Sequence, residues 1–207
     1  MTDPRTRIVR DGYDAMADDF ADWRNRIIDD PRDWWTEQLT MRIPAGVRVL
    51  ELGCGAGVPD AKRLAERFRV TGVDISHEQI ARARANVSEA DFIQADFTDL
   101  EFEPSSFEAV AAFYVLNHVP RDLLAPLCAR IHSWLVPGGY LLAAFGTSDT
   151  EAWVGEWLGT TMFFSSFAPG TNSRLLTAAG FELVLDELGT MQEPEGKVEF
   201  QWVLARR

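Results

Sequence analysis

The sequence predicts an α/β fold, a doubly wound and mostly parallel sheet covered by helices on both faces. Three observations carry that reading. From residue 47 onward, short apolar runs alternate with segments of helical periodicity, the pattern of strands joined by crossover helices. The first run leads into a glycine-rich stretch, "VLELGCGAG" (49–57), at the carboxyl end of a strand, where such folds bind ligands. The last two β-rich runs are joined by "QEPEG" (192–196), and Glu193-Pro194-Glu195-Gly196 can close a hairpin, so the final pair is antiparallel. At 207 residues the chain suits a single domain with a full core.

Residues 1–45 form a helical cap. Tyr13, Met16, Phe20 and Trp23 recur at spacings of 3, 4 and 3, an amphipathic stripe. "PRDWWTEQLTMRIP" (31–44) gives a second short helix, stopped near Pro44. The central region, 46–148, opens with "VRVLEL" (47–52), an apolar run broken by one arginine, as in a buried parallel strand. In "VPDAKRLAERF" (58–68), Val58, Ala61, Leu64, Ala65 and Phe68 share a helical face, with Pro59 near its start, where proline is tolerated. "VTGVDIS" (70–76) is a second strand, and Ser76 with Gln79 has capping-box spacing for the next helix. "DFIQADF" (91–97) and "SFEAVAAFYVL" (106–116) are strands three and four. A helix spans 121–135, its regular part starting near Ala125 because of Pro126. "PGG" (137–139) is a turn before strand five, "YLLAAF" (140–145). An aromatic insert, 149–170, separates this core from a last helix, "TNSRLLTAAGF" (171–181), closed by Gly180, and the hairpin that completes 171–207.

Acids outnumber basic residues 32 to 20, for a formal charge of -12. That disfavours a nucleic-acid partner, which usually meets a basic face. Arg7, Arg10, Arg24 and Arg26 are interleaved with acids and read as solvated faces. Cys54 and Cys128 are the only cysteines; they make no metal-ligand spacing and no disulfide framework, so no metal is expected. The start has no apolar leader-like region, and no apolar run reaches 18 residues. The expectation is a soluble cytoplasmic protein with no membrane partner. The sequence leaves the oligomeric state open.

Two adenosine cofactors compete for the glycine loop. In the dinucleotide fingerprint G-x-G-x-x-G/A, a pyrophosphate rests on a helix N-terminus. Counted from Gly53 and Gly55, the last position of that pattern falls on Val58, and Glu51 adds negative charge beside the phosphates. The alternative is a zwitterionic cofactor without phosphate, S-adenosyl-L-methionine. Glu51 would then help hold its ammonium region, and Gly53, Cys54, Gly55 and Gly57 would let the backbone lie against it. Asp74, ending the second strand, would accept from the ribose hydroxyls. Asp96, ending the third, would accept from the adenine amino group, with Phe97 beside the ring. Ile75 and Phe113 complete this candidate cofactor set. Acids at the ends of all three strands favour the second reading more than the glycines alone.

These residues resemble the motifs of class I S-adenosylmethionine-dependent methyltransferases. "VLELGCGAG" resembles the first motif, "GVDIS" the ribose-binding second and "QADFTDL" the adenine-binding third. "FEAVAAFYVLNHVP" resembles the fourth strand with its loop, and "LVPGGYLL" the turn before strand five. The resemblance covers residues 47–145 and implies a Rossmann-like, seven-stranded sheet whose last strand inserts beside the fifth. It also implies that Tyr13, in "DGYDAMADDF", contacts the cofactor carboxylate; a core position on the amphipathic stripe is the other reading. The N/D-P-P-Y/F pattern of enzymes that methylate base amino groups is missing after strand four, which again points away from nucleic acid.

Methyl transfer from a sulfonium needs positioning above all, and a base only where the nucleophile must shed a proton. His118, just after strand four, is the candidate catalytic base. His77 and His132 read as surface residues, Cys54 as a small loop residue rather than a nucleophile. Five of the seven tryptophans lie in the N-terminal cap and the insert. The expectation is that these two segments close an apolar pocket for a small-molecule acceptor, with Trp23, Tyr114, His118, Trp157, Phe163 and Phe164 as its candidate contacts. Trp34, Trp35, Trp153, Met162 and Phe167 are further aromatic and apolar members of the same segments. The alternatives are a nicotinamide-dependent oxidoreductase and a non-catalytic S-adenosylmethionine-binding protein.

Overall fold

The computed structural model describes residues 3–207. Five parallel strands follow one another from the glycine region onward: β1 (Arg48–Leu52), β2 (Arg69–Asp74), β3 (Asp91–Gln94), β4 (Phe107–Ala112) and β5 (Leu135–Gly146). A separate hairpin, β6 (Trp153–Trp157) and β7 (Thr160–Phe164), precedes the last two strands, β8 (Glu182–Glu193) and β9 (Gly196–Arg206). The main sheet runs β3-β2-β1-β4-β5-β9-β8. β9 lies antiparallel between β5 and β8, as the motif resemblance implies. The order reverses direction at β1 and β4, so the carboxyl ends of these strands open the crevice in which such sheets bind ligands.

Alternation along the strands builds a core on each face. Leu50, Leu52, Val110 and Ala112 point toward α6 (Arg121–Trp134) and α7 (Pro169–Ala178). Val49, Ala109 and Ala111 point the other way, toward α3 (Arg32–Thr40), α4 (Asp60–Ala65) and α5 (His77–Asn86). On that second face Trp35 stacks on Trp202 with ring centroids 5.6 Å apart. α5 begins as its spacing predicts, with the Ser76 hydroxyl accepting from the Gln79 amide at 3.1 Å. α7 ends in a left-handed Gly180, the Phe181 N–H returning to the Leu176 carbonyl at 3.1 Å. Among the described residues no helix is long and apolar enough to cross a membrane.

Several boundaries differ from the sequence expectation. The N-terminal stripe is two helices, α1 (Pro4–Ala15) and α2 (Ala17–Arg24), broken at Met16, whose side chain is buried. Strand two stops at Asp74, three at Gln94 and four at Ala112, because the residues beyond leave the ladder to face the crevice. α6 is regular from Arg121; Pro126 forfeits only the bond to the Asp122 carbonyl, near the helix start where few such bonds exist. The insert, read as a run of aromatics, is a β-hairpin. Leu158 and Gly159 both have positive φ, 48° and 76°, a two-residue turn of the kind that matches strand twist. Its second strand hides any alternation, since Met162 and Phe163 are both buried.

That hairpin packs on α1. Phe163 joins Val9, Met16 and Met162 in a small third core, with 1 % of its surface exposed. Phe163→Ala is therefore expected to cost about 3–5 kcal/mol of stability, the usual range for deleting a buried ring, read as a lowered denaturant midpoint. A second tie fastens the cap. Ile28 and Gln192 exchange backbone hydrogen bonds at 3.1 and 3.0 Å, and the Trp23 indole N–H donates to Glu195 at 2.8 Å. The tip of the β8–β9 hairpin is thus held against the N-terminal segment, over the crevice.

Candidate active site

The crevice holds a cavity of about 280 Å³. The glycine turn forms its floor. Gly53, Gly55 and Gly57 all have positive φ, 68°, 52° and 75°, which glycine adopts without steric cost. A Cβ on Gly53 would lie 2.3 Å from Val115, whereas one on Gly55 would meet only Gln79 Oε1 at 3.8 Å. Gly55 therefore presents bare backbone to open space. Gly57 faces Ala83 of α5 and Val87 just past its end and lies outside the cavity wall. Cys54 lines the wall beside them. Burial raises its thiol well above the usual range, so it is a packing group rather than a nucleophile.

The acids at the strand ends gather around this turn. Asp74 accepts from the Gly55 and Ser76 amides, each at 2.9 Å. Burial outweighs these donors and pushes its carboxyl up to about 6. Asp96 lies two residues past β3. Its Oδ1 accepts from the Thr98 amide and hydroxyl at 2.9 and 2.6 Å, while its buried Oδ2 has no partner among the described residues. Ile75, Phe97 and Phe113 line the same region. Glu51 sits outside the cavity wall; it is buried, its Oε2 has no partner among the described residues, and burial raises its carboxyl well above the usual range.

Cations complete the floor. Arg32 is bound to Asp30 at 2.6 Å and Asp60 at 2.5 Å. Its guanidinium also lies over the Tyr114 ring, 4.8 Å from the centroid. The Tyr114 hydroxyl donates to Asp30 at 2.6 Å, and the residue itself is left-handed, φ 54°. Arg24, expected on a solvated face, instead lines the cavity and donates to the Val58 carbonyl. The broken helix at Met16 turns it inward, and burial lowers its pKa.

The cavity continues into an aromatic chamber. Tyr13, Phe20, Trp23 and Trp157 form a cluster with centroid separations of 5.1 to 6.4 Å, and Phe164 stands edge-on to Trp157 at 5.6 Å. Phe163 does not reach this chamber; its carbonyl does the work instead. It accepts from His118 Nδ1 at 2.9 Å. A carbonyl only accepts, so Nδ1 carries the proton and Nε2 is the acceptor for the Tyr13 hydroxyl, 2.9 Å away. Burial lowers His118 to about 4, which keeps the imidazole neutral.

The other aromatic residues of the two segments divide. Trp35, Met162 and Phe163 are core, Trp34 and Trp153 are 47% and 42% exposed, and Phe167 lies under Arg121 with 4.4 Å between guanidinium and centroid. Of the other histidines, His77 is exposed, while His132 packs edge-on to Phe181 at 5.0 Å. Sequence reading missed a whole wall. Met191, Glu193, Val198 and Phe200 of the C-terminal hairpin line the chamber. Their spacing of two in each strand was the available signal.

The donor–acceptor balance selects the ligand. Asp74, Asp96 and the buried Glu51 surround the glycine turn, and Arg32 is already paired with two carboxylates. Such a floor repels a pyrophosphate and fits a ligand rich in hydroxyl, amine and ammonium donors. Spare acceptor capacity on Asp96 and the open face of Gly55 match an adenosyl group carrying an amino acid.

Comparisons with known proteins agree. A family model described as a methyltransferase domain matches residues 49–139. The 27-O-demethylrifamycin SV methyltransferase of Amycolatopsis mediterranei is 32% identical over 163 residues, 68% of this chain and 59% of that protein, so the chain spans less than two thirds of this relative's length. A ubiquinone biosynthesis O-methyltransferase of Xanthomonas axonopodis pv. citri is 32% identical over 176 residues, 76% of this chain and 72% of that protein. The fold matches a 1,6-didemethyltoxoflavin-N1-methyltransferase of Burkholderia thailandensis, crystallised with 1,6-didemethyltoxoflavin and S-adenosylhomocysteine, with a TM-score of 0.75 at 21% identity over 100% of this chain and 91% of that one. With its strand order, its glycine turn and these relatives, the chain belongs to the class I S-adenosylmethionine-dependent methyltransferases.

Proposed function

We propose that this protein transfers a methyl group from S-adenosylmethionine to a small, partly apolar acceptor by in-line displacement. The observation that carries the proposal is the continuity of one cavity, acidic and open-backboned around Gly55, aromatic around Trp157. The bound cofactor supplies a methyl group already activated on a sulfonium, so the protein's contribution is to align acceptor and donor. Asp74 takes the ribose hydroxyls, and Asp96 takes the adenine amino group through its free Oδ2, beside Phe97. Ile75 and Phe113 supply apolar walls. Arg24 pairs with the carboxylate end, and the buried Glu51, behind the cavity wall, offers its unpartnered Oε2 as an acceptor to the ammonium region, directly or through water.

This division leaves Tyr13 to the boundary between cofactor and acceptor, because its hydroxyl is turned to His118. A proton leaving the acceptor passes to the Tyr13 oxygen as the Tyr13 proton passes to His118 Nε2. The Phe163 carbonyl holds the ring in the receptive tautomer throughout. Tyr114, with its hydroxyl committed to Asp30, acts as a wall, together with Trp23, Trp157 and Phe164.

Asp74→Asn tests the cofactor half. Loss of a charged acceptor is expected to weaken S-adenosylhomocysteine binding by about 1.5–3 kcal/mol, measured by calorimetric titration. The parent's affinity should also rise as pH increases through about 6, because only the ionised carboxylate is the stronger acceptor, and this rise should flatten in the variant. Unchanged affinity in a folded variant would remove Asp74 from the site.

A further inference from the structure

The inner face of the β8–β9 tip is apolar except at one position. Gly189, Met191 and Glu193 share a face of β8 by their period of two. Their register partners on β9 are Phe200, Val198 and Gly196. A carboxylate in that row breaks the pattern, and departures of this kind concentrate where a protein does chemistry or recognition. Glu193 lines the aromatic chamber, and its carboxylate has no hydrogen-bond or ion-pair partner among the described residues. Burial, with the like charge of Glu195, raises its carboxyl to about 7. Glu195 itself is engaged by the Trp23 indole. The cations of the cavity are turned elsewhere, Arg32 to Asp30 and Asp60, and Arg24 to the Val58 carbonyl and the cofactor end.

Glu193 shares this chamber with the rings of Tyr13, Phe20, Trp23 and Trp157, and its charge reaches the Tyr13 hydroxyl. Aromatic faces and one free carboxylate together attract a cation. Neither the hydroxyl of Tyr13 nor that of Tyr114 competes for the carboxylate, since they are bonded to His118 and Asp30.

We propose that Glu193, with these aromatic rings, selects an acceptor that carries a protonated nitrogen, held as its recognition group at the tip of the C-terminal hairpin. The inference rests on the methyltransferase reading above and names the substrate class of the same site. The nitrogen is the group that is gripped; the atom that receives the methyl lies toward Tyr13 and His118.

Three probes of similar size separate charge from shape: 2-phenylethylamine, 2-phenylethanol and 3-phenylpropionate. Each is titrated calorimetrically into protein saturated with S-adenosylhomocysteine, whose own binding is measured first. The amine is expected to bind about tenfold more tightly than the alcohol, and the acid more weakly than either. Glu193→Gln should remove most of the amine's preference over the alcohol, leaving the alcohol and S-adenosylhomocysteine unchanged, and Glu193→Asp should restore part of it. Equal affinities for amine and alcohol in the parent, failure of all three probes to bind, or a preference undiminished in Glu193→Gln would overturn the proposal. Failure of S-adenosylhomocysteine itself to bind would instead overturn the methyltransferase reading on which it rests.

Discussion

Gly55→Val is expected to abolish S-adenosylhomocysteine binding while leaving the protein folded. The position has φ 52°, and an added Cβ meets only Gln79 Oε1 at 3.8 Å. The new side chain therefore enters the cavity rather than the core. Holding valine in a left-handed conformation costs roughly 1–2 kcal/mol, which for a domain of this size lowers the melting temperature by about 2–8 °C. The same substitution at Gly53 would act differently, because its Cβ would lie 2.3 Å from Val115 and the fold would suffer first. Thermal melting with and without S-adenosylhomocysteine separates the two effects. For Gly55→Val the apo transition should persist and the ligand-induced shift vanish. A normal shift would mean that the open face of this turn is not where the ligand lies.

His118→Ala should lower turnover by about 10²–10⁴-fold, the usual scale for losing a general base, with cofactor affinity nearly unchanged. Asp74, Asp96 and the glycine turn do not touch this residue's bonds, so binding at that end survives. The fold weakens as well. The Phe163 carbonyl and the Tyr13 hydroxyl each lose a buried partner, a loss of about 1–3 kcal/mol per group left unpaired. Tyr13→Phe distinguishes the relay from simple packing. It removes the oxygen between acceptor and His118 but keeps the ring, so it should reproduce the fall in turnover at a smaller stability cost, with one buried group, His118 Nε2, left unpaired instead of two. The acidic limb of turnover at saturating cofactor should lie near pH 4, where His118 becomes protonated, rather than near the ordinary imidazole value. These rates require an acceptor that the parent turns over. Equal turnover in Tyr13→Phe and the parent would leave His118 as a structural residue.

The sequence made the scaffold of this site readable and left its cover obscure. Strand runs, the glycine turn and the N-cap at Ser76 are local features, decided by residues a few positions apart. Asp74 reads as part of this site together with Glu51 and Asp96, three acids at three strand ends, and the structure sets it against the Gly55 amide. The cover depends on contacts between distant segments. Phe163 and Phe164 are neighbours in an aromatic run, yet one is core and the other lines the chamber, because α1 packs on one side of β7. Arg24 reads as solvated from its acidic neighbours, and only the break at Met16 turns it inward. Glu193 reads as a turn residue in "QEPEG"; its alternation with Met191 carried the contrary signal, which acquires meaning once Ile28 pairs with Gln192 and brings the tip over the crevice.

Crystals of the protein grown with S-adenosylhomocysteine test the central claim most directly. The account predicts ribose hydroxyls on Asp74, the adenine amino group on Asp96 and the backbone of Gly55 against the ligand. The sulfur should face the chamber bounded by Tyr13, His118 and Trp157. An adenosyl group bound elsewhere, or a sulfur turned away from that chamber, would contradict it.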